Sequence, residues 1–266
     1  MRLDLYLYEN GYAASRQRAR VLIDAGQVYI DGVQRTKASF NVPDGDAVTV
    51  EIRGEVMPYV GRGGYKMAGM LDGFSVNPAG FVCVDIGAST GGFTDCLLQN
   101  GAKLVYAVDS GSDQLAQVLR EDDRVVVMEQ FNARALDETH TNGRVDLCVC
   151  DVSFISLTKI LPVLKTLLKQ NAQCVCLIKP QFEAGKEKVG KKGVVREAST
   201  HLEVVEKIKD FSLSLKFSVL NLEFSPIKGP QGNIEYLIHL INDDLGEFRA
   251  DITPDTLISQ SHIELS

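Results

Sequence analysis

From residue 63 onward, the hydrophobic pattern alternates short apolar runs with longer segments of mixed polarity. Five runs are nearly continuous in Val, Ile, Leu and Cys, as in parallel strands that are covered on both faces. They lie at residues 81–86, 104–109, 124–128, 145–151 and 173–179. Helices are predicted between them, around residues 93–100, 113–120, 158–169 and 199–215. This alternation predicts a doubly wound, Rossmann-like α/β sheet with its binding sites at the carboxyl ends of the strands.

Two longer apolar runs follow near the end of the chain. They occupy residues 217–227 and 233–241 and are joined by a loop rich in Gly and Pro, which predicts an antiparallel pair of strands at the edge of the sheet. The chain after Asp243 is acidic, and its pattern leaves its structure open.

The first 52 residues follow a different pattern, of two short helices and then two or three short strands. Ser15 is placed to cap the second helix, and Gly26 is placed to end it. Asp31-Gly32 between two short β runs is a strong hairpin signal. The next residues, 53–62, are rich in Gly, Pro and charge and are predicted to form a linker. The predicted boundaries are a small N-terminal α+β domain with its linker over residues 1–60, the α/β domain over 61–245 and a tail over 246–266.

Composition limits the location and the class of the protein. The chain of 266 residues is 45% hydrophobic and 24% charged, which is ordinary for a globular protein with a buried core. It contains no apolar run of 18 residues, and Arg2, Asp4 and Glu9 interrupt its beginning. Neither a membrane span nor a signal peptide is therefore predicted, and a cytoplasmic location is expected.

The cysteines and the charge distribution narrow the candidate ligands. Cys148 and Cys150, like Cys174 and Cys176, alternate within apolar runs, so they are predicted to be buried thiols; no metal site is expected. The net charge of −7 is not typical of a protein covered in nucleic-acid contacts. Basic residues are nevertheless concentrated locally, because residues 179–196 carry six basic side chains against two acidic ones.

A glycine-rich stretch, VDIGASTGGFTD at residues 84–95, follows the first predicted strand of the α/β domain and opens a helix. Its pattern, D-x-G-x-x-x-G-G, differs from the G-x-G-x-x-G loop that holds a dinucleotide pyrophosphate, and it accommodates a neutral or zwitterionic amino-acid end. Asp109 ends the second strand, where a carboxylate accepts hydrogen bonds from ribose, and Asn132 follows the third strand, near an expected adenine edge. The candidate cofactor residues are Asp85, Gly87, Ala88, Ser89, Thr90, Gly91, Gly92, Phe93, Asp109 and Asn132. The alternative is a structural turn with a surface aspartate.

Five motifs taken together resemble the TlyA family, which is related to the FtsJ group. They are YVGRGGYK at 59–66, VDIGASTGGFTD at 84–95, VCDVSFISL at 149–157, LIKPQFEAG at 177–185 and NIEYL at 233–237. The resemblance extends from Arg2 to about Ile241. It implies an S-adenosylmethionine-dependent 2′-O-methyltransferase that acts on ribosomal RNA or ribosomal subunits, with cytidine as the modified nucleotide. The first residues resemble an RNA-binding domain named after a ribosomal protein of the small subunit.

The resemblance also implies a catalytic tetrad of Lys66, Asp151, Lys179 and Glu235. A ribose 2′-hydroxyl must lose its proton as it attacks a methyl group, and an ammonium ion cannot accept that proton. A second ammonium nearby and partial desolvation both favour a neutral lysine. We therefore hypothesise that Lys179 favours a neutral Lys66, which acts as the base, while the two carboxylates orient the lysines. One departure from the family is Gly61, where members commonly have Ser, and it is expected to loosen the loop.

Basic side chains in three regions are candidates for contacts with RNA phosphates. They are Arg2, Arg16, Arg18, Arg20, Arg35 and Lys37 in the small domain, Arg62 in the glycine loop that follows the linker, and Lys188, Lys191, Lys192 and Arg196 in the loop 184–196. The glycines beside Arg62 are expected to let the RNA backbone come close. The alternatives are a solvated helix face in the small domain and a disordered loop at 184–196.

Three other functions remain possible at this stage. A nicotinamide-dependent oxidoreductase would need a G-x-G-x-x-G loop, which the sequence lacks. A non-catalytic RNA-binding or ribosome assembly factor would not depend on an intact tetrad, so the four filled tetrad positions favour an enzyme. A pore, as the family's historical haemolysin label suggests, would need a membrane-spanning or strongly amphipathic stretch. The modified nucleotide, the ribosomal subunit and the oligomeric state are left open.

Overall fold

The N-terminal domain packs two helices against a small antiparallel sheet. In the computed structural model, which describes residues 1–13, 15–43, 48–54, 58–229 and 231–265, the domain has the order α-α-β-β-β. Its elements are α1 (Leu3–Glu9), α2 (Arg16–Asp24), β1 (Val28–Ile30), β2 (Val33–Gln34) and β3 (Val50–Ile52). The Ser15 side chain accepts a hydrogen bond from the Arg18 backbone N–H, as predicted for an N-cap. Asp31 and Gly32 both have positive φ, which is the conformation of a tight hairpin turn.

A seven-stranded sheet forms the centre of the second domain, and it confirms the predicted fold class. Its strands are β4 (Val82–Ile86), β5 (Leu104–Val108), β6 (Val125–Met128), β7 (Val145–Cys150), β8 (Leu168–Ile178), β9 (Ser218–Phe224) and β10 (Tyr236–Ile241). They lie in the order β6-β5-β4-β7-β8-β10-β9. The predicted antiparallel pair is present, and β10 is antiparallel to both of its neighbours, β8 and β9. The strand order reverses between β4 and β7, which is where sheets of this kind bind ligands.

Helices cover both faces of this sheet. Helices α3 (Gly63–Gly73), α4 (Gly92–Gln99) and α5 (Gln117–Arg120) pack on one face. Helices α6 (Leu161–Leu167), α8 (Ala198–Ser214) and α9 (Pro254–Glu264) pack on the other. The short helix α7 (Pro180–Glu183) follows β8 directly. All six cysteines are buried and unpaired, and the four that alternate along β7 and β8 lie in the core beneath α6 and α8, as predicted.

Two predicted helices are shorter than their sequence pattern suggested. The helix predicted over 113–120 begins only at Gln117, because the Glu129 carboxylate accepts backbone hydrogen bonds from Asp113, Gln114 and Leu115 and holds them in a turn. The helix predicted over 158–169 ends at Leu167, since Leu168 pairs with Val145 and opens β8.

The chain beyond Asp243, whose structure the sequence left open, ends in an ordered helix. Leu257 and Ile258 of α9 are buried in the core that α8 also covers. The side chain of Thr253 caps α9 by accepting a hydrogen bond from the Thr256 backbone N–H. The final helix therefore packs as part of the α/β domain.

Candidate active site

The glycine loop between β4 and α4 brings two strand ends into direct contact. Gly87 has a φ of 87°, and a Cβ atom there would lie 2.5 Å from the Asp151 carbonyl oxygen. Gly91 has a φ of 94° and precedes the first turn of α4. Only glycine fits at these two positions without strain. The loop can therefore follow β4 closely and reach Asp151, the residue after β7.

A cleft of about 780 Å³ opens beside this loop, at the carboxyl ends of the strands. Four of the predicted cofactor residues line it, namely Gly87, Ser89, Asp109 and Asn132, together with Asp151 of the predicted tetrad. The other predicted cofactor residues, Asp85, Ala88, Thr90, Gly91, Gly92 and Phe93, are not among its lining residues. The volume lies within the range of clefts that hold a nucleoside-sized ligand.

Polar groups on the loops after β5 and β6 are held in place by backbone hydrogen bonds. The Asp109 carboxylate accepts the Ser89 N–H at 2.8 Å and the Gly111 N–H at 2.7 Å. The Asn132 side-chain oxygen accepts the Arg134 N–H at 3.1 Å, so Asn132 caps a short 3₁₀ turn. Both side chains face the cleft with fixed orientations, because the surrounding backbone already holds them.

A fully buried carboxylate, Asp85, lies at the end of β4 behind the glycine loop. Its Oδ2 accepts the Thr94 hydroxyl at 2.7 Å, whereas its Oδ1 has no hydrogen-bond partner among the described residues. The pKa of Asp85 is raised to about 7, mainly by burial; the nearby carboxylates of Asp151 and Asp109 contribute to this rise, and the Thr94 hydrogen bond opposes it. Two of these acidic groups, Asp109 and Asp151, line the cleft, which suits a ligand with positive charge.

The predicted tetrad forms two ion pairs. Lys66 Nζ lies 2.5 Å from Glu235 Oε2, and these side chains are only 11% and 1% exposed. Lys179 pairs with the Asp151 carboxylate and also donates a hydrogen bond to Ser153 Oγ at 3.3 Å. Tyr236 is opposite Ile178 in the antiparallel β8–β10 pair, so the adjoining Glu235 comes opposite Lys179. The sheet register thus brings both ion pairs to one edge.

The glycines at 61–64 pack against protein and do not form an open surface for RNA. A Cβ on Gly64 would lie 2.3 Å from Tyr59 Cβ, and one on Gly61 would lie 2.6 Å from Thr90 Oγ1. The absence of a side chain at Gly61 therefore leaves room for the Thr90 side chain. The expectation that these glycines serve a close approach of RNA is corrected accordingly.

Gly92 completes this contact from the other side. A Cβ on Gly92 would lie 2.8 Å from the Gly64 nitrogen and 3.1 Å from the Gly61 oxygen. The first turn of α4 and the first turn of α3 consequently meet backbone to backbone. This contact fixes the helix that carries Lys66 beside the glycine loop of the cleft.

Known proteins are similar to this chain in sequence along most of its length. The model of the FtsJ-like methyltransferase family matches residues 59–242, and the model of the S4 domain matches residues 1–48. The chain is 48% identical to the Bacillus subtilis protein "Putative rRNA methyltransferase YqxC" over 90% of the chain and 85% of that protein. It is 45% identical to the Mycobacterium tuberculosis 16S/23S rRNA (cytidine-2′-O)-methyltransferase TlyA over 90% of the chain and 89% of that protein. This chain belongs to the TlyA/haemolysin-like family of rRNA methyltransferases. The prediction of an RNA 2′-O-methyltransferase enzyme is thereby confirmed.

A solved structure from the same family supports the assignment along nearly the whole chain. The structure "Putative hemolysin from Streptococcus thermophilus" superimposes with a TM-score of 0.74 at 43% identity, covering 99% of this chain and 96% of that one. Within the described part of this TlyA-family chain, no helix has the length and apolar character needed to cross a bilayer.

The basic residues predicted to contact RNA divide into two groups in this TlyA-family protein. All eleven are at least partly exposed, and nine form the first group: Arg2, Arg16, Arg35, Lys37, Arg62, Lys188, Lys191, Lys192 and Arg196. Arg2 and Arg16 both pair with the buried Asp4, Arg35 lies over the Phe40 ring, and Lys188 pairs with Glu203. The second group, Arg18 and Arg20, has partners in the methyltransferase domain instead.

The most exposed aromatic side chain beside the cleft was not identified from the sequence. Phe154 is 91% exposed, lines the cleft and packs on Phe182 with their ring centroids 4.9 Å apart. Its φ of 63° is strained for a bulky residue, so its position is imposed by the surrounding loop. An aromatic residue directly after Asp151-Val-Ser was the available signal in the sequence.

Two buried polar residues that support the site were also missed. Glu183 accepts hydrogen bonds from the Ser156 hydroxyl and the Leu157 N–H, both at 2.6 Å, and so joins α7 to the loop that carries Phe154. Asn233 accepts the Val195 N–H at 3.0 Å and donates to the Gly193 carbonyl at 2.9 Å. It therefore orders the loop 184–196 next to Glu235. Polar residues within the KPQFE and NIEYL motifs were the signal for both.

Proposed function

We propose that this protein transfers a methyl group from S-adenosylmethionine to the ribose 2′-hydroxyl of a cytidine in ribosomal RNA. The observation that carries the proposal is the pairing of Lys66 with Glu235 and of Lys179 with Asp151 beside the glycine-loop cleft. The choice of cytidine and of ribosomal RNA is supported by the name of the M. tuberculosis relative. A reaction on ribosomal RNA fits the cytoplasmic location expected from the sequence.

The cleft suits a cationic nucleoside cofactor better than a dinucleotide. The carboxylates of Asp109 and Asp151 line it, so a sulfonium or amino group would be attracted there, whereas a pyrophosphate would be repelled. Asp109 and Asn132 would hold the nucleoside, and the backbone of the glycine loop would lie against the amino-acid end. When bound, the cofactor supplies an activated methyl group and accepts the electrons of the broken C–S bond.

The tetrad would then position the nucleophile and remove its proton. The 2′-oxygen forms the new C–O bond, and Lys66 Nζ receives the hydroxyl proton. Lys66 can do so only in its neutral form, and Glu235 Oε2, which lies 2.5 Å from Lys66 Nζ, would hold the amine in position for that step. Lys179 and Asp151 would hold the ribose beside the cleft, because Asp151 lines the cleft and pairs with Lys179.

The function is tested by mapping 2′-O-methyl groups in ribosomal RNA after incubation of ribosomal subunits with the protein and S-adenosylmethionine. We expect methylation of a cytidine, and its loss in Lys66→Ala and Lys179→Ala, with calorimetric binding of the cofactor retained in both. Lys103→Ala, which alters an exposed lysine outside the site, is the control and should remain active. Full activity in both tetrad variants would contradict the proposed mechanism.

The same measurements address the alternative of a non-catalytic assembly factor. Binding of ribosomal subunits without cofactor binding or methylation would favour that alternative. Cofactor binding followed by methylation of a base, or of a nucleotide other than cytidine, would refute the proposed substrate and retain the enzyme class.

A further inference from the structure

Helix α2 of the S4 domain lies against the methyltransferase domain. Arg18 pairs with Asp95 of α4 at 3.6 Å, and Arg20 pairs with Glu121, which follows α5. Val21 packs against the apolar cluster formed by α3, α4 and α5. Arg18 and Arg20 are 17% and 27% exposed, whereas Arg16 on the same helix is 50% exposed.

Asp95 connects this contact to the active site. Its Oδ2 accepts the Val60 N–H at 2.8 Å, and its Oδ1 accepts the Gln99 side-chain amide at 2.9 Å. The amide of Gln99 also donates to the Pro58 carbonyl at 2.8 Å. Asp95 lies in the first turn of α4, directly after the glycine loop. The Asp95 carboxylate therefore holds α2, the end of the linker and α4 together.

The linker by itself would leave the two domains free to move over a wide range. Residues 53–62 separate β3 from α3, and a chain of that length spans up to ~35 Å when extended. Neighbouring nucleotides lie only several ångströms apart. A tethered S4 domain without a fixed orientation would therefore present many nucleotides to Lys66 with similar frequency.

We propose that Arg18 and Arg20 are positioning residues, which fix the S4 domain against the methyltransferase domain and thereby determine which nucleotide reaches the tetrad. The inference rests on the proposed function. Exposed or half-buried ion pairs contribute little to folding stability, so the contact orients domains that fold without it. RNA bound through the half-exposed pair Arg2 and Arg16 would be held at a set distance from Lys66.

A charge-reversal cycle at the outer ion pair separates this role from direct contact with RNA. The proteins are Arg20→Glu, Glu121→Arg and the double variant, assayed on ribosomal subunits with methylation mapped at single-nucleotide resolution. We expect each single reversal to lower kcat/KM for RNA by about fivefold and to spread methylation to neighbouring nucleotides. The double variant restores both the rate and the single site, because the ion pair is re-formed with its charges exchanged.

A phosphate contact by Arg20 predicts a different set of results. In that case Arg20→Glu is impaired, Glu121→Arg is not, and the double variant stays as impaired as Arg20→Glu; this pattern would overturn the inference. Salt dependence gives a second comparison, since the loss of one phosphate contact reduces the slope of log K against log salt by about 1. We expect that reduction in Arg16→Ala and not in Arg20→Ala.

Domain orientation is measured independently of activity. Because the six native cysteines are buried, fluorophores can be attached at Glu9→Cys and Lys103→Cys, which are exposed positions in the two domains. Energy transfer should change in each single reversal and return in the double variant. Unchanged transfer in both single reversals overturns the inference. If transfer behaves as expected and wild-type protein methylates no RNA, the domain contact is supported, and the proposed function and the positioning role are refuted.

Discussion

Replacing Asp85 with Asn should change how the stability of this protein depends on pH. The folded-state pKa of Asp85 is raised by burial from 3.8 to about 7. The folded protein therefore binds a proton that the unfolded chain releases between about pH 4 and 7, so the wild type loses stability as pH rises through that window. The variant has no such group, and its stability lacks this contribution.

The size of the effect follows from that pKa difference. A change of about 3 units at ~1.4 kcal/mol per unit gives a cost of about 4 kcal/mol for the ionised group at pH 8. An asparagine can still accept the Thr94 hydroxyl, but its amide replaces the oxygen that has no partner, which costs ~1–3 kcal/mol. We expect Asp85→Asn to be more stable than the wild type by ~1–3 kcal/mol at pH 8. At pH 5 this difference in the free energy of unfolding should be ~3 kcal/mol smaller, so that the variant has no advantage there.

The assay is denaturant unfolding at a series of pH values, followed by far-ultraviolet circular dichroism because the chain has no tryptophan. His201 and His239 also titrate, but both proteins contain them, so their contribution cancels in the difference. Thr94→Val is the matched control: it removes the hydrogen bond that lowers the pKa of Asp85, and should extend the loss of stability to higher pH. A stability difference between the wild type and Asp85→Asn that is the same at pH 5 and pH 8 would refute the reasoning.

Three further predictions concern groups around the site and the core. Phe154→Ala should lower kcat/KM for RNA by about tenfold or more with cofactor binding unchanged, because base stacking on an aromatic ring is worth ~1–3 kcal/mol. Phe154→Tyr keeps the ring and should leave kcat/KM nearly unchanged. Equal rates in all three proteins would contradict the prediction. Glu183→Gln should lower stability in denaturant unfolding by ~1–3 kcal/mol and reduce kcat, since the amide can accept only one of the two hydrogen bonds that the buried carboxylate accepts from the Phe154 loop. An unchanged unfolding midpoint would contradict this. Burial lowers the pKa of His201 to about 4, so the unfolded chain binds the extra proton and stability falls by up to about 3 kcal/mol as pH drops from 6.5 to 4. In the same unfolding assay, His201→Gln should lose less stability than the wild type over that pH range. An equal loss of stability in the two proteins would refute the prediction.

The sequence predicted the strands and the edge at which the site lies, because both depend on local pattern. Buried runs with Asp85, Asp109 and Asp151 at or next to their last residue identify the carboxyl edge of a parallel sheet without any knowledge of strand order. The tetrad came from family resemblance, and the structure adds the pairing of Lys66 with Glu235 and of Lys179 with Asp151.

The sequence could not reveal which charges face inward. Arg16, Arg18 and Arg20 are alike in a single-sequence reading, yet one pairs with Asp4 of its own domain and two pair with the methyltransferase domain. Such contacts join residues far apart in sequence, and periodicity carries no information about them. The exposure of Phe154 has the same origin, since its strained backbone is imposed by tertiary contacts.

The meeting of Gly92 with Gly61 and Gly64 has a consequence for how the glycine loop and the helix that carries Lys66 can move. The contact is made by backbone atoms, so no side-chain rotation can absorb a displacement of one segment against the other. Any shift of the first turn of α4 when the cleft is filled must pass directly to the helix that carries Lys66. For the same reason, a side chain added at Gly64 or Gly92 would displace the helix that carries Lys66 and the glycine loop together.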